Sequence, residues 1–282
     1  MNEVVKSPAT ILNNMLNGNS VQKMIKDSMG QRAGMFTASI MDVFNSTPEL
    51  AKCDPAQIVK KAIEASAMGL TLNKSLGHAY LVVYNNKVKL PDGSFKTVPT
   101  PTFIPGYKGL IQLALRGGCV KNINADVVYE GELVGKDKLT GYIDLSGDKT
   151  SDKVIGYFAY YDEGVYSKTI YMSVDEMANY AKAYSKSIPS QMTIDALKAL
   201  ADKPYFDGNT GVGWTKNFHS MAIKTVLRRL LKTYGRLSLE MEAALNQDSK
   251  ADEAEDNVVD TTAVEIPEVK VIEEKKPIDP GF

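Results

Sequence analysis

The residues with the clearest chemical content lie in the segment GYKGLIQLALRGG, where Lys108, Gln112 and Arg116 recur every four positions. On a helix this spacing puts all three on one face and Leu110, Leu113 and Ala114 on the other. A row of cation, amide and cation can follow a phosphate backbone by charge while the amide contacts a sugar or base edge. The same row would also fit a solvated helix face. A second basic run, WTKNFHSMAIKTVLRRLLKTYGR, interleaves Lys216, Lys224, Arg228, Arg229 and Lys232 with apolar residues at helical spacing. No acid occurs between Gly208 and Leu239. These cations therefore have no partner at helical spacing, and their field should attract anions. The alternative is a basic face balanced by acids elsewhere in the fold or by the C-terminal segment.

Aromatic side chains are interleaved with the same charges. Tyr107 adjoins Lys108, Tyr180 and Tyr184 alternate with Lys182 and Lys186, and Tyr205-Phe206 precede Trp214. Rings placed this way can stack on bases, although each taken singly also fits a core position, and the helical angle of Tyr107 lies nearer the apolar arc. Catalytic patterns are weak by comparison. His78 and His219 are the two histidines, and neither has a nucleophile or a second ligand at metal spacing. The run Gly131 to Asp137 has one residue too few between glycines for a phosphate-binding loop, and an aspartate stands where Ser or Thr should hold magnesium. Asp126, Glu130, Glu132 and Asp137 suggest a nuclease-like cluster, but their mixed spacing fits a solvated strand and turn better.

The elements that must position these residues can be read from periodicity and turn signals. Residues 8 to 70 read as helical, with an amphipathic stretch around Ile11 to Ile25. A clearer helix opens at Asp54-Pro55, carries the stripe Ile58, Val59, Ala62, Ile63 and Ala65, and stops at Gly69. Residues 79 to 172 are rich in strands, with turns at Asn-Asn, Pro-Asp-Gly and Asp162-Glu163-Gly164. Pro99, Pro101 and Pro105 confine their strand to an edge or an extended arm. A short helix spans Gly106 to Arg116. Ser173-Val-Asp-Glu176 is a capping box for a helix to about Lys186, and Pro204 to Gly213 reads as a loop. A long helix then runs from Trp214 to about Tyr234. The expected fold is α+β, with small antiparallel sheets or hairpins packed against this long C-terminal helix and with N-terminal helices.

Composition bounds the function classes. The chain has 282 residues, 44% of them hydrophobic, enough for one large core or two small ones. No apolar run reaches membrane-spanning length, and the first residues lack the layout of a secretion signal, so a cytoplasmic location is expected. Cys53 and Cys119 are isolated in sequence, and both are expected to be small buried apolar residues. The formal charge of −1 hides an asymmetry. From Asp248 onward eleven acids face four lysines, a net of −7, which leaves residues 1–247 at +6. The expected organisation is therefore a basic folded body, 1–247, and a disordered acidic tail, 248–282.

Together GHAYLVVY, TFIPGYKGLIQLALRGG and WTKNFHSMAIKTVLRRLLK resemble the RecT family of phage recombinases, in order and in relative position, over roughly residues 50 to 236. The resemblance implies an annealing protein for single-stranded DNA that acts without ATP in homologous recombination. It also implies assembly into a ring or helical filament and work beside a five-prime exonuclease. The implied core is similar to that of Red-beta-type annealing proteins. Carried onto this sequence, the family's glycine-tyrosine-lysine block falls on Gly106, Tyr107 and Lys108, and its lysine-threonine helix on Lys224 and Thr225. The expected contact set for single-stranded DNA is Tyr107, Lys108, Gln112, Arg116, Lys182, Lys186, Lys216, Lys224, Thr225 and Arg228. Trp214, Phe218 and Met221 are expected to fix the basic helix against the sheet. No catalytic residue, metal site or cofactor is expected, and magnesium would at most modulate annealing. Expected partners are single-stranded and annealed duplex DNA, further copies of the chain, the exonuclease, and a host single-strand-binding protein docked on the acidic tail. A bacterial host cytoplasm and a phage or prophage origin go with this reading. The rival classes are a metal-dependent nuclease and a protein-only polymerising scaffold.

Overall fold

The structure, a computed structural model, describes residues 7–90, 93–185, 187–206 and 211–253. Four helices open the chain: α1 (Pro8–Leu16), α2 (Asn19–Met29), α3 (Ala33–Asn45) and α4 (Pro55–Ala67). Ser7 caps α1 by accepting from the Thr10 amide, and Asp54 caps α4 by accepting from Ala56, which satisfies donors that a helix start leaves open. Leu12, Leu16, Ile25, Ile40 and Ile58 are completely buried where these helices meet. The expected stripe of α4 faces this core, except that Ile63 is only partly buried. Gly69 stops the helix in the left-handed region, with φ 61°.

The strand-rich region divides into three antiparallel sheets. Strands β1 (Ala79–Lys89) and β2 (Phe95–Pro105) form a long hairpin, paired from Ala79 with Pro105 to Lys89 with Phe95. With only two strands β2 is an edge, which accommodates its three prolines. The expected Pro-Asp-Gly turn lies partly outside the described residues, at Pro91 and Asp92. Helix α5 (Tyr107–Arg116) follows directly. Strands β3 (Asn122–Tyr129), β6 (Val154–Asp162) and β7 (Ser167–Ser173) make the second sheet in the order β3-β6-β7, and β4 (Gly135–Lys136) pairs with β5 (Ile143–Asp144) in the third. The β6–β7 turn is closed by the Asp162 carboxylate accepting from the Gly164 amide. Helix α6 (Val174–Tyr184) opens on the expected capping box of Ser173 and Glu176, and α7 (Ile194–Ala201) is capped by Thr193.

Helix α8 (Phe218–Tyr234) lies against β3, β6 and β7 on one side and α5 on another. Ten of its seventeen residues are buried, so it is enclosed on more than an apolar stripe. Each large apolar side chain so buried contributes about 1.5–3 kcal/mol. Trp214, in the turn before it, packs edge-on against Phe218, with ring centroids 5.4 Å apart. His219 is held from both sides. Its Nε2 lies 2.8 Å from the Lys203 carbonyl, which can only accept, so Nε2 donates and Nδ1 accepts from the Tyr157 hydroxyl at 3.0 Å.

Several expectations need correction. Asn85-Asn86 makes no turn but lies inside β1, paired with Pro99 and Val98. The long helix begins at Phe218 rather than at Trp214. Cys53 is buried but Cys119 is exposed, because it follows α5 in a surface turn opened by Gly117-Gly118. The folded body also does not end at 247. Helix α9 (Leu239–Glu253) continues across that boundary, packs on β2 and α5, and buries Met241, Ala244, Leu245 and Asp248 at helical spacing. The remainder of the expected tail, 254–282, lies outside the described residues.

Helix α5 is seated by glycine. A Cβ on Gly109 would lie 2.1 Å from the His78 carbonyl oxygen, and one on Gly106 would lie 2.1 Å from that of Gly77. Alanine at 109 would ordinarily favour a helix by about 1 kcal/mol, but here it meets backbone that cannot move alone. Gly109→Ala should therefore lower stability by roughly 1–3 kcal/mol, read as a fall in Tm. An unchanged or raised Tm would contradict this close approach.

Candidate nucleic-acid interface

Helix α5 presents its polar row outward as the spacing requires. Gln112 and Arg116 are exposed and Lys108 is half-buried, while Leu110, Leu113 and Ala114 are buried. Gln112 and Arg116 line a groove of about 350 Å³ together with residues of α3 and of the 69–78 segment. Arg32 lines the same groove, and its charge acts on Arg116, whose pKa is lowered first by burial and then by Arg32. Glu240 on α9 acts in the opposite sense. The pKa of His78, also in the lining, is lowered by burial and then by Arg116 and Lys108, so the imidazole is neutral at pH 7 and the groove's positive charge is guanidinium.

Three further cavities are lined by neighbouring segments. Thr71 and Asn73 face the first groove, while Leu72 and Lys74 line a second cavity of about 290 Å³ with Lys216, so the 71–74 segment is the partition between the two. A cavity of about 140 Å³ follows, sharing Val82 and Val212 with its neighbour. A small one of about 30 Å³ comes last and shares Trp214, Met221, Lys224 and Asp248. Tyr80, Val82 and Tyr84, on one face of β1, line the middle of this trough. Tyr180, Tyr184 and Arg228 stand at its far end. Cations line each of these cavities, Arg32 and Arg116 in the first, Lys74 and Lys216 beside Glu49 in the second, and Lys224 and Arg228 beside Asp248 at the far end.

The expected contact residues are distributed unequally over this trough. Gln112, Arg116, Lys216, Lys224 and Arg228 line it. Lys108 and Lys182 do not line any of these cavities. Lys182 donates to the carbonyls of Pro189 and Ser190 at 3.1 and 2.8 Å. Tyr107 packs half-buried against the core with its hydroxyl 3.5 Å from that of Tyr205. Thr225 is buried and donates to the Met221 carbonyl, so its hydroxyl closes on its own helix. Lys186 lies outside the described residues. Phe218 and Trp214 are buried as anchors, and Met221 is partly buried.

The unpaired basic helix is the largest departure from expectation. Lys224 is buried and bonded to the Asp248 carboxylate, whose other oxygen is 3.2 Å from Arg228 Nη1. The partner comes from twenty-four residues away in sequence, beyond the reach of any helical-spacing argument. Sequence reasoning also missed Arg32, Lys74, Tyr80 and Tyr84. The two tyrosines could have been found from their alternation along β1, whereas Arg32 and Lys74 carry no local pattern.

The carboxylates that suggested a nuclease are engaged in turns and backbone bonds. Asp137 accepts from Leu139 and Thr140, Glu132 from the Tyr129 amide, and Glu130 from Ser151. Lys136, in the run that failed as a phosphate loop, lies on a strand over the Tyr171 ring at 4.0 Å. Among the described residues no group of three or more His, Cys, Asp or Glu side chains is placed to hold a metal, and no helix is long and apolar enough to cross a membrane.

The RecT family model matches residues 34–265, which takes in the α5 block, β1, α8 and α9. The chain belongs to the RecT family. It is similar to the uncharacterized protein YqaK of Bacillus subtilis (strain 168), 33% identical over 267 residues that cover 94% of this chain and 81% of that protein. It is also similar to Protein RecT of Escherichia coli (strain K12), 28% identical over 203 residues, 72% of this chain and 66% of that protein. RecT membership makes this a DNA recombination and annealing protein in the general sense, of a family of annealing proteins rather than enzymes.

The buried His219 and the half-buried His78 give this RecT protein a defined response to acid. The pKa values of His219 and His78 are both lowered from the ordinary 6.5, in each case chiefly by burial. The unfolded chain then binds more protons than the folded one as pH drops below 6.5, so stability falls from there. His219→Gln should flatten part of the loss between pH 7 and 5 in denaturant titrations. A variant that keeps the full pH dependence would remove His219 as a source.

Proposed function

We propose that this RecT protein binds single-stranded DNA along the trough from Arg32 and Arg116 to Lys224 and Arg228 and anneals it to a complementary strand. The observation that carries this reading is the presence of cations in each of these neighbouring cavities, with Tyr80 and Tyr84 of β1 lining the two that adjoin the 211–216 segment. Cationic contacts to phosphates give affinity without sequence preference, while base pairing with the incoming strand supplies specificity. Rings on a strand surface can stack on bases of any identity, at about 1–3 kcal/mol per base. Duplex formation itself releases free energy, so the reaction requires neither nucleotide hydrolysis nor a cofactor. A strand longer than one trough would pass to the next subunit, which suits a ring or filament of identical copies. In this reading the protein acts in the bacterial cytoplasm beside a five-prime exonuclease, and the acidic segment beyond α9 is a strip for docking that enzyme or a single-strand-binding protein.

Complementary oligonucleotides mixed with the protein in EDTA, without nucleotide, should anneal faster than alone, as read by fluorescence quenching. Annealing at the unassisted rate would overturn the proposal, and shortening of labelled strands in magnesium would favour a nuclease. Arg32→Ala and Arg116→Ala should each weaken binding to all sequences alike and reduce the salt slope by about 0.7. A variant with wild-type slope would remove that residue from the DNA path.

A further inference from the structure

The far end of the trough holds an arrangement that a structural ion pair alone does not account for. Asp248 is 4% exposed, Lys224 8% and Arg228 18%, and the two oxygens of the carboxylate meet different cations. A phosphodiester offers the same thing: one negative charge shared between two oxygens that can be bound by an ammonium and a guanidinium together. The linings of the two cavities that meet here contain two cations and one acid, together with Trp214, Tyr84, Tyr180 and Tyr184. Cations beside aromatic faces are what a nucleotide requires, its phosphate on the first and its base on the second.

The acid comes from the last described helix, which packs on β2 and α5. Helix α9 buries Met241, Ala244 and Leu245 ahead of Asp248, and Leu239, Glu240, Glu242, Ala243 and Asn246 face solvent. It is joined to α8 by the four non-helical residues 235–238, a connection short enough to act as a hinge. Movement of α9 away from β2 and α5 would withdraw the carboxylate and expose Lys224 and Arg228 to the trough.

We propose that Lys224 and Arg228 form a phosphate subsite for single-stranded DNA that Asp248 of α9 occupies in the free protein, and that the DNA backbone displaces α9 to reach it. This rests on the DNA-binding reading of the trough. Binding then becomes a competition between a tethered carboxylate and a phosphate. A truncation after Leu245 cuts α9 and removes Asp248 with the tail. A cut after Glu253 removes the tail alone.

The test uses the full chain and a thymidine oligonucleotide. Asp248→Asn should bind on the order of tenfold more tightly, the worth of one charge-assisted contact. The exposed-acid control Glu242→Gln, which changes net charge equally on the same helix, should bind nearly as wild type. Equal effects of the two changes, or no gain from Asp248→Asn, would overturn the proposal. Because an uncompensated Lys224 could unfold the Asp248 variant, hydrogen exchange on the wild-type chain provides a second measurement. Saturating oligonucleotide should speed exchange of α9 amides while α8 stays protected, and an α9 equally or better protected would overturn the subsite. Failure of the wild type to bind the oligonucleotide overturns both readings, whereas binding with α9 still protected overturns this one alone.

Discussion

Lys224 sits on a helix enclosed on nearly every side, and an ammonium cannot be carried into such a place without an anion beside it. An isolated buried charge costs several kcal/mol, whereas α8 gains its position by burying Phe218, Ile223, Leu227, Leu230 and Leu231 around the same turns. The two demands are met together only because α9 brings Asp248 to the ammonium. The requirement for that one carboxylate explains why the helical body runs past the point where the sequence turns acidic. It also ties the end of the fold to the trough, since the residues that neutralise each other there are the residues that line it.

The remaining geometry follows from two close approaches. Glycines at 106 and 109 let α5 lie directly on the backbone of Gly77 and His78, and Gln112 and Arg116 line one groove with Arg32. The β1–β2 hairpin, free of a third strand, turns Tyr80 and Tyr84 toward the 211–216 segment. Neither arrangement brings acid and nucleophile together, and neither builds an enclosed pocket. What results is a set of open cavities in which cations outnumber the acids Glu49 and Asp248, suited to a polymer held along its backbone rather than a small molecule held on all sides.

Local structure was largely legible in the sequence. The Asp54 cap, the stripe of α4, the Ser173–Glu176 capping box, the proline-bearing edge strand and the outward row of α5 are all decided by residues within a few positions of one another. What escaped was long-range. The alternation in AYLVVY announced a strand but not that its tyrosine face would line a groove with residues from 211–216. Arg32 and Lys74 have no neighbours that mark them. The apparent lack of acid around α8 was correct for the helix and wrong for the fold, because Asp248 reaches it only through the packing of α9. Cys119 was misplaced for a related reason, since hydrophobic composition alone does not tell a core position from a turn after a helix.

Trp214 is the chain's single tryptophan and lines both far cavities of the trough, so tryptophan fluorescence reports on this one place in the fold. Titration with a thymidine oligonucleotide should change its emission in step with binding followed by gel shift, with an affinity that falls linearly in log-log coordinates as salt rises. Binding in the gel that leaves Trp214 emission unchanged, or an affinity indifferent to salt, would contradict the account.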